Sequence, residues 1–221
     1  LPIFSPWQTD PMPDARPSLR QTSPAAERNR GPILQALQGL LPAQGQMLEI
    51  AAGTGQHAVH FAAGLPSWQW QPTDPDAGAL GSIDAWRRHS PSPGLRAPVQ
   101  LDVLQHPWPV HDGGAAWDAM FCANMLHIAP WACCAALMQG AAAYLRPAGQ
   151  LITYGPYRVQ GEPTADSNEA FDADLRRRNP AWGLRWLHEI EAEAARVGLG
   201  LQQRLGLPSN NQLLVFARTA G

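Results

Sequence analysis

The sequence contains no lysine; all 16 of its Lys/Arg positions are arginine. We read this as a bias of nucleotide composition. It nonetheless excludes any mechanism built on an amine side chain, whether a Schiff base or the lysine of a phosphate-binding loop. Cysteine is scarce as well. Cys122, Cys133 and Cys134 form no CxxC pair, so they make neither a disulfide framework nor a zinc site. Cys133 and Cys134 fall in an apolar, helix-like run and read as small buried hydrophobes, in keeping with a reducing cytoplasm. Neither sign of charge is in large surplus. The formal net charge is −2 and the pI about 6.4, which speaks against a nucleic-acid footprint, normally visible as a basic excess. No apolar run approaches the roughly 18 residues of a membrane span. Leu1-Pro2-Ile3-Phe4 lacks a basic segment followed by an apolar one, so no secretory signal is legible. No methionine opens the chain, which leaves room for residues upstream of Leu1.

What is present is a chain of 221 residues, 45% hydrophobic, long enough to bury a real core. Its 22 prolines are about twice the usual share of roughly 5%. Seven of them lie within residues 1–32, so we expect an extended Pro-rich arm over 1–22 and a single domain over 23–221. Ser23-Pro24 followed by Glu27 is a helix start; Pro32 offers a second start, with Ile33, Leu34, Leu37, Leu40 and Leu41 as one apolar stripe. Strands are expected at 47–51, 68–73, 98–103, 117–123 and 150–154, with helices at 57–63, 77–89 and 130–145 between them. This alternation means a doubly wound α/β fold with a mostly parallel sheet. After a helix at 187–197 come two strand-like runs, 199–205 and 212–218, separated only by Gly206–Asn211. That gap is too short for a parallel crossover, which needs about a dozen residues. The seven-stranded sheet therefore ends in an antiparallel hairpin, an arrangement that resembles class I methyltransferases rather than dehydrogenases.

Gly53-Thr54-Gly55-Gln56-His57-Ala58 matches the GxGxxA variant of the dinucleotide fingerprint. Its glycines let a ligand approach the backbone, and the helix behind it presents free N–H groups. Alone this is a weak signal. Three carboxylates at expected strand ends sharpen it. Glu49 would repel a pyrophosphate but welcome an ammonium such as the methionine end of S-adenosylmethionine (SAM). Asp74, 21 residues after Gly53, suits two ribose hydroxyls. Asp102 suits an adenine amino group, with Val103 packing on the ring. Each also has a bland reading, as a strand-end, turn or capping acid.

The wider sequence resembles the methyltransferase-like protein 26 family, built on the class I SAM-dependent methyltransferase fold, over about residues 23–218. The stretches that carry the resemblance are Glu27–Leu34, Leu48–His57, Trp70–Asp74, Asn124–Trp131, Tyr154–Tyr157, Ser167–Asp172 and Pro208–Asn211. Two departures stand out: Tyr157 where the family usually has Phe, and Ala52 where Ser is common. The resemblance implies SAM as cofactor and S-adenosylhomocysteine (SAH) as product, but no particular methyl acceptor.

On this basis the expected cofactor contacts are Arg28, Asn29, Glu49, Ala51, Gly53, Thr54, Gly55, His57, Asp74, Asp102, Val103, Asn124 and Met125, with Arg28-Asn29 folding back on the cofactor carboxylate. His127, which titrates near neutrality beside the cleft, is the best candidate base, against a purely structural role. Tyr157 is the second. Residues 155–186 form a long connection of the kind that serves as a lid. It carries Tyr157, Asn168, Phe171 and Trp182, which, with Trp131, Tyr154, Asn210 and Asn211, make up the expected acceptor site; the bland alternative is a cap packing its own aromatics. His57 and His60 lie one turn apart, but no carboxylate or cysteine is spaced to complete a metal site. Arg176-Arg177-Arg178 reads as a solvated face. The expected activity is methyl transfer from SAM to a small molecule, with neither nucleic acid nor membrane as partner. A non-catalytic SAM-binding protein and an NAD-dependent oxidoreductase are the alternatives, and the oligomeric state is not legible.

Overall fold

The structure, a computed structural model, describes residues 19–110 and 116–219; residues 1–18 of the expected arm lie outside it. Two strands at the centre of the sheet, β1 (Gly45–Ile50) and β4 (Trp117–Ala123), are covered on both faces, which is why they read as continuous apolar runs rather than alternating ones. Met47 points into one layer, while Leu48 and Ile50 point into the other. β2 (Trp68–Asp74), β3 (Val99–Gln100) and β5 (Leu145–Gly155) extend the parallel part. β8 (Leu199–Leu207) and β9 (Asn211–Arg218) close it as an antiparallel hairpin beside β5. The seven-stranded order is β3-β2-β1-β4-β5-β9-β8. The chain reverses direction across the sheet between β1 and β4, and open α/β sheets bind their ligands at the carboxyl ends of the strands flanking such a switch.

Helices α1 (Pro24–Leu40) and α2 (Gln56–Gly64) cover one face. There Phe61, Trp70 and Phe121 pack edge-on or tilted at 5.5–6.4 Å between ring centres. Helices α4 (Ala132–Tyr144) and α6 (Leu187–Ala195) cover the other face, and α3 (Ala77–His89) lies between β2 and β3 in the chain. In α4 the packing is so close that a Cβ on Gly140 would come within 1.9 Å of the Trp108 ring.

Three local expectations are corrected. The second helix start at Pro32 does not occur: α1 runs through Pro32 without a break. Inside a helix proline forfeits one hydrogen bond, crowds the carbonyl four residues back, and also crowds the residue before it. Here that residue is Gly31, which has no Cβ and open space around it, while Ile33 and Leu37 are fully buried and hold the helix to the sheet. The third strand, expected over 98–103, is only Val99–Gln100, because the Asp102 side chain accepts the Leu104 N–H and turns the chain away. The fifth strand starts at Leu145, directly after α4. Finally, 155–186 is an ordered excursion. α5 (Asp166–Arg178) stands between two short strands, β6 (Tyr157–Arg158) and β7 (Arg185–Trp186), which pair in parallel and fasten its two ends together. Among the described residues no helix is long and apolar enough to cross a membrane.

Candidate functional site

The site is built where β1, β2 and β4 end. Beyond β1 the chain turns through Ala51 and Gly53, and then Gly55, all at positive φ. Gly55 is required twice over: its φ is 86°, and a Cβ there would lie 2.7 Å from the Ile83 backbone. Gly53 faces open space. Beyond β4, Asn124 is also left-handed (φ 62°), and so are Ser209 and Asn210 in the hairpin turn. Every non-glycine residue with positive φ among those described is thus in a loop at this end of the sheet. Such strain persists only where surrounding structure imposes it, and it gathers at functional sites.

Two cavities open here. The first, about 350 Å³, has apolar walls that include Leu101, Val103, Met125 and Ile128, with Asp74 and Asp102 as its carboxylates and Gly53 on its floor. Asp74 is buried; its Oδ2 accepts the Gly53 N–H at 2.9 Å and its Oδ1 the Asp76 N–H at 3.0 Å. Burial raises its carboxyl above the ordinary value even against those two hydrogen bonds. Each carboxylate oxygen has a second lone pair left for a ligand. Asp102 both lines the cavity and caps its turn. Apolar plates with two acceptors at the rim, over a glycine that leaves space for a ligand, fit a nucleoside.

The second cavity is larger, about 670 Å³, and of mixed lining, more polar than the first. Arg28 and Asn29 enter it from α1, Asn124 and His127 from the β4 loop, Tyr154 from β5, and Asn168, Phe171 and Arg178 from α5; Asn211 borders it from the hairpin. Ile128 lines both cavities and is 44% exposed, so it stands as the divider between them. His127 is 5% exposed, its ring edge-on to Phe171 at 5.5 Å. Burial first, and then the Arg185 charge, push its imidazole down to about 4, so at neutral pH it is uncharged and free to accept a proton. Asn29 is a linchpin: His57 Nε2 lies 2.7 Å from its Oδ1, and its side chain also hydrogen-bonds the Tyr154 phenol.

Several expected contacts lie elsewhere. Tyr157 is corrected as a base: its hydroxyl donates to Thr153 Oγ1 at 3.0 Å, it is 5% exposed, and burial drives its phenol far above the ordinary value. Glu49 is not a free carboxylate at a strand tip. It is 1% exposed and accepts the Trp70 indole N–H at 2.6 Å; burial, opposed by that hydrogen bond, lifts it to about 8. The alternation of β1 turns it toward the layer of Met47, and it lines neither cavity. His57 stacks on Phe61 at 5.0 Å and reaches the larger cavity only through Asn29. Thr54 serves the turn, its Oγ1 donating to Gln56. Trp131 packs against the core beneath the Arg185 guanidinium, and Trp182 carries Arg178 over its ring at 5.3 Å. Asn210 faces a third, neighbouring cavity instead. Among the described residues no cluster of three His, Cys, Asp or Glu side chains is placed to hold a metal.

Sequence reasoning missed three residues. Ile128 carried no signal beyond being apolar. Arg178, read as part of a solvated face, is indeed more than half exposed, but it also borders the larger cavity. Arg185 donates to the carbonyls of Leu126, Ala129 and Ala181 at 2.7–2.9 Å and so props the loop that presents His127; nothing in its sequence neighbourhood announces this.

The fold is that of the class I methyltransferases, a mostly parallel seven-stranded sheet closed by an antiparallel hairpin. Within that class the chain belongs to the family described as protein of unknown function (DUF938), whose profile matches residues 20–218. Solved structures that resemble it include CalO1, a methyltransferase in calicheamicin biosynthesis in its SAH-bound form (17% identity, TM-score 0.72, covering 88% of this chain and 54% of that one). They include the mitomycin 7-O-methyltransferase MmcR (13%, TM-score 0.73, 88% and 54%) and an O-methyltransferase family protein from Burkholderia thailandensis (18%, TM-score 0.70, 89% and 58%). The chain spans little more than half the length of these proteins.

Proposed function

We propose that this chain is a SAM-dependent methyltransferase acting on a small molecule. The observation that carries the reading is the pair of cavities that share Ile128: one apolar, with Asp74 and Asp102 among its lining, the other of mixed polarity and bordered by α5. We assign the first to the adenosine of SAM, with Asp74 on the ribose and Asp102 on the adenine, and the second to the acceptor, with 155–186 as its lid. Within its family we place the chain beside methyltransferase-like protein 26, since Asn124, His127, Asn168 and Phe171, from two of the shared stretches, all border the larger cavity. We assign it to the cytoplasm.

When bound, SAM supplies an electrophilic methyl carbon on a sulfonium that leaves as the thioether of SAH. The contribution of the chain is to position and to desolvate. Gly53 and Asp74 hold the cofactor's sugar; Ile128 and Met125 separate the sulfur region from bulk water. His127 Nδ1 or Nε2 accepts a proton from an acceptor that carries one. A base brought down to about 4 is weak, which suits acceptors that are already acidic.

Parallel calorimetric titrations with SAM, SAH and NAD test the reading. Micromolar binding of SAM and SAH without NAD is expected, as is at least a tenfold loss in Asp74→Asn. NAD binding alone would overturn the assignment. SAH binding without turnover of any acceptor in a metabolite mixture would leave a non-catalytic SAM-binding protein.

A further inference from the structure

The larger cavity is cationic, in a chain whose formal net charge is −2. Its wall carries two guanidinium groups, Arg28 from α1 and Arg178 from the last turn of α5, and no aspartate or glutamate. Neither group is tightly neutralised. Arg28 has no ion-pair or hydrogen-bond partner among the described residues. Arg178 lies 4.0 Å from Asp174, a carboxylate already engaged by Arg177. The guanidinium carbon lies 5.3 Å from the centre of the Trp182 ring, a cation–π contact that leaves its N–H groups available to a partner. SAM deepens the imbalance: its sulfonium and ammonium outnumber its single carboxylate. Even with that carboxylate held by Arg28, the filled site keeps positive charge that no side chain of this wall offsets. The rest of the lining includes neutral hydrogen-bonding amides and hydroxyls, Asn29, Asn168 and Ser167 among them, and the partly exposed apolar edges of Ile128 and Phe171.

We infer that the acceptor is a small organic acid, its carboxylate held by Arg178 and its body lying against Phe171 and Ile128. A carboxylate matches the forked guanidinium and forms charge-assisted bonds about twice as strong as neutral ones. The Arg178 side chain is more than half exposed, so solvent and salt screen part of this attraction, and the preference for acids should weaken as ionic strength rises. The word acceptor rests on the methyltransferase reading; the anion site itself does not.

The test uses the full chain, with and without saturating SAH. Binding of benzoate and 4-hydroxybenzoate is compared with benzamide, 4-hydroxybenzamide and phenyl phosphate by calorimetry. The acids should bind at least tenfold more tightly than their amides. Arg178→Gln should abolish that preference while SAH affinity and melting temperature hold, and Arg178→Lys should keep part of it. Amides that bind as well as acids, a preference that survives in Arg178→Gln, phenyl phosphate binding where benzoate does not, or no binding of any acid would each overturn the inference. If SAH fails to bind but benzoate still depends on Arg178, the methyltransferase reading falls and the anion site stands. If SAH binds and acids are not preferred, only the anion site falls.

Discussion

Glu49 shows how a residue in a site motif can serve the fold instead. Its carboxyl is held under the sheet by the Trp70 indole, and its folded value of about 8 lies above the ordinary 4.5. The neutral form is therefore the one the fold favours. Stability from this group is complete below about pH 4.5 and is lost as pH rises through 8. Glu49→Gln keeps an acceptor for the indole and cannot ionise. Its melting temperature should match that of the parent near pH 4.5 and exceed it by several degrees at pH 9, measured by thermal scans in a pH series. Equal melting temperatures at pH 9 would mean that the carboxylate is solvated after all. Spacing marked Glu49 as special but could not say which way it pointed, because β1 is buried on both faces and offers no polar side to decide the matter.

Among the elements, α5 is the one whose fixing matters most to the site. Asp172 Oδ1 accepts the Leu184 N–H at 2.7 Å, and its Oδ2 takes Arg176 at 2.9 Å and Arg158 at 3.2 Å. Burial alone would raise this carboxyl, yet the bonds from Arg176 and Leu184 outweigh it and hold it below its ordinary value. Asp172→Ala should cost about 2–4 kcal/mol, the usual toll for breaking a partly buried charged network. It should also speed amide exchange at Tyr157–Arg158 and Arg185–Trp186, whereas exchange in β1 and β4 should be unchanged at matched stability. The regular alternation was legible: five parallel strands, their helices and the hairpin all follow from period and spacing. What escaped was the content of 155–186. The two-residue strands β6 and β7 are too short to carry a period, and α5, with Asp and Arg around most of its surface, presents almost no apolar stripe. Pro32 misled for a different reason: the glycine before it relieves part of the clash, and the burial of Ile33 and Leu37 holds the helix together.

At the scale of the whole molecule the buried titratable groups set a pH optimum. His57 and His127 are each brought from 6.5 to about 4, chiefly by burial. Because their folded values are depressed, the stability they provide is complete above about pH 6.5 and lost as pH falls toward 4, by about 3 kcal/mol each. Glu49 acts with the opposite sign between 4.5 and 8. Below pH 6.5 these histidines, joined by His60, whose imidazole burial also lowers, outweigh Glu49 and the raised Asp74; above it Glu49 dominates, so stability should peak between about pH 6 and 7. Denaturant titrations across pH 4.5–8.5 check this; a monotonic profile would contradict it. Of the candidate site, the places of Asp74 at the end of β2 and of Asp102 two residues beyond β3 were readable from topology, while the charge of the larger cavity was not, because Arg28 and Arg178 are 150 residues apart in the sequence and line one cavity only through folding. The divider at Ile128 has a consequence for ligand chemistry. Ile128 borders both cavities, so, on the assignments proposed above, a single molecule joining an adenosine to a benzoate by a tether over Ile128 is expected to engage both at once. The second half of such a bisubstrate compound binds at an effective concentration in the millimolar range or above, and its affinity should exceed that of either half by orders of magnitude.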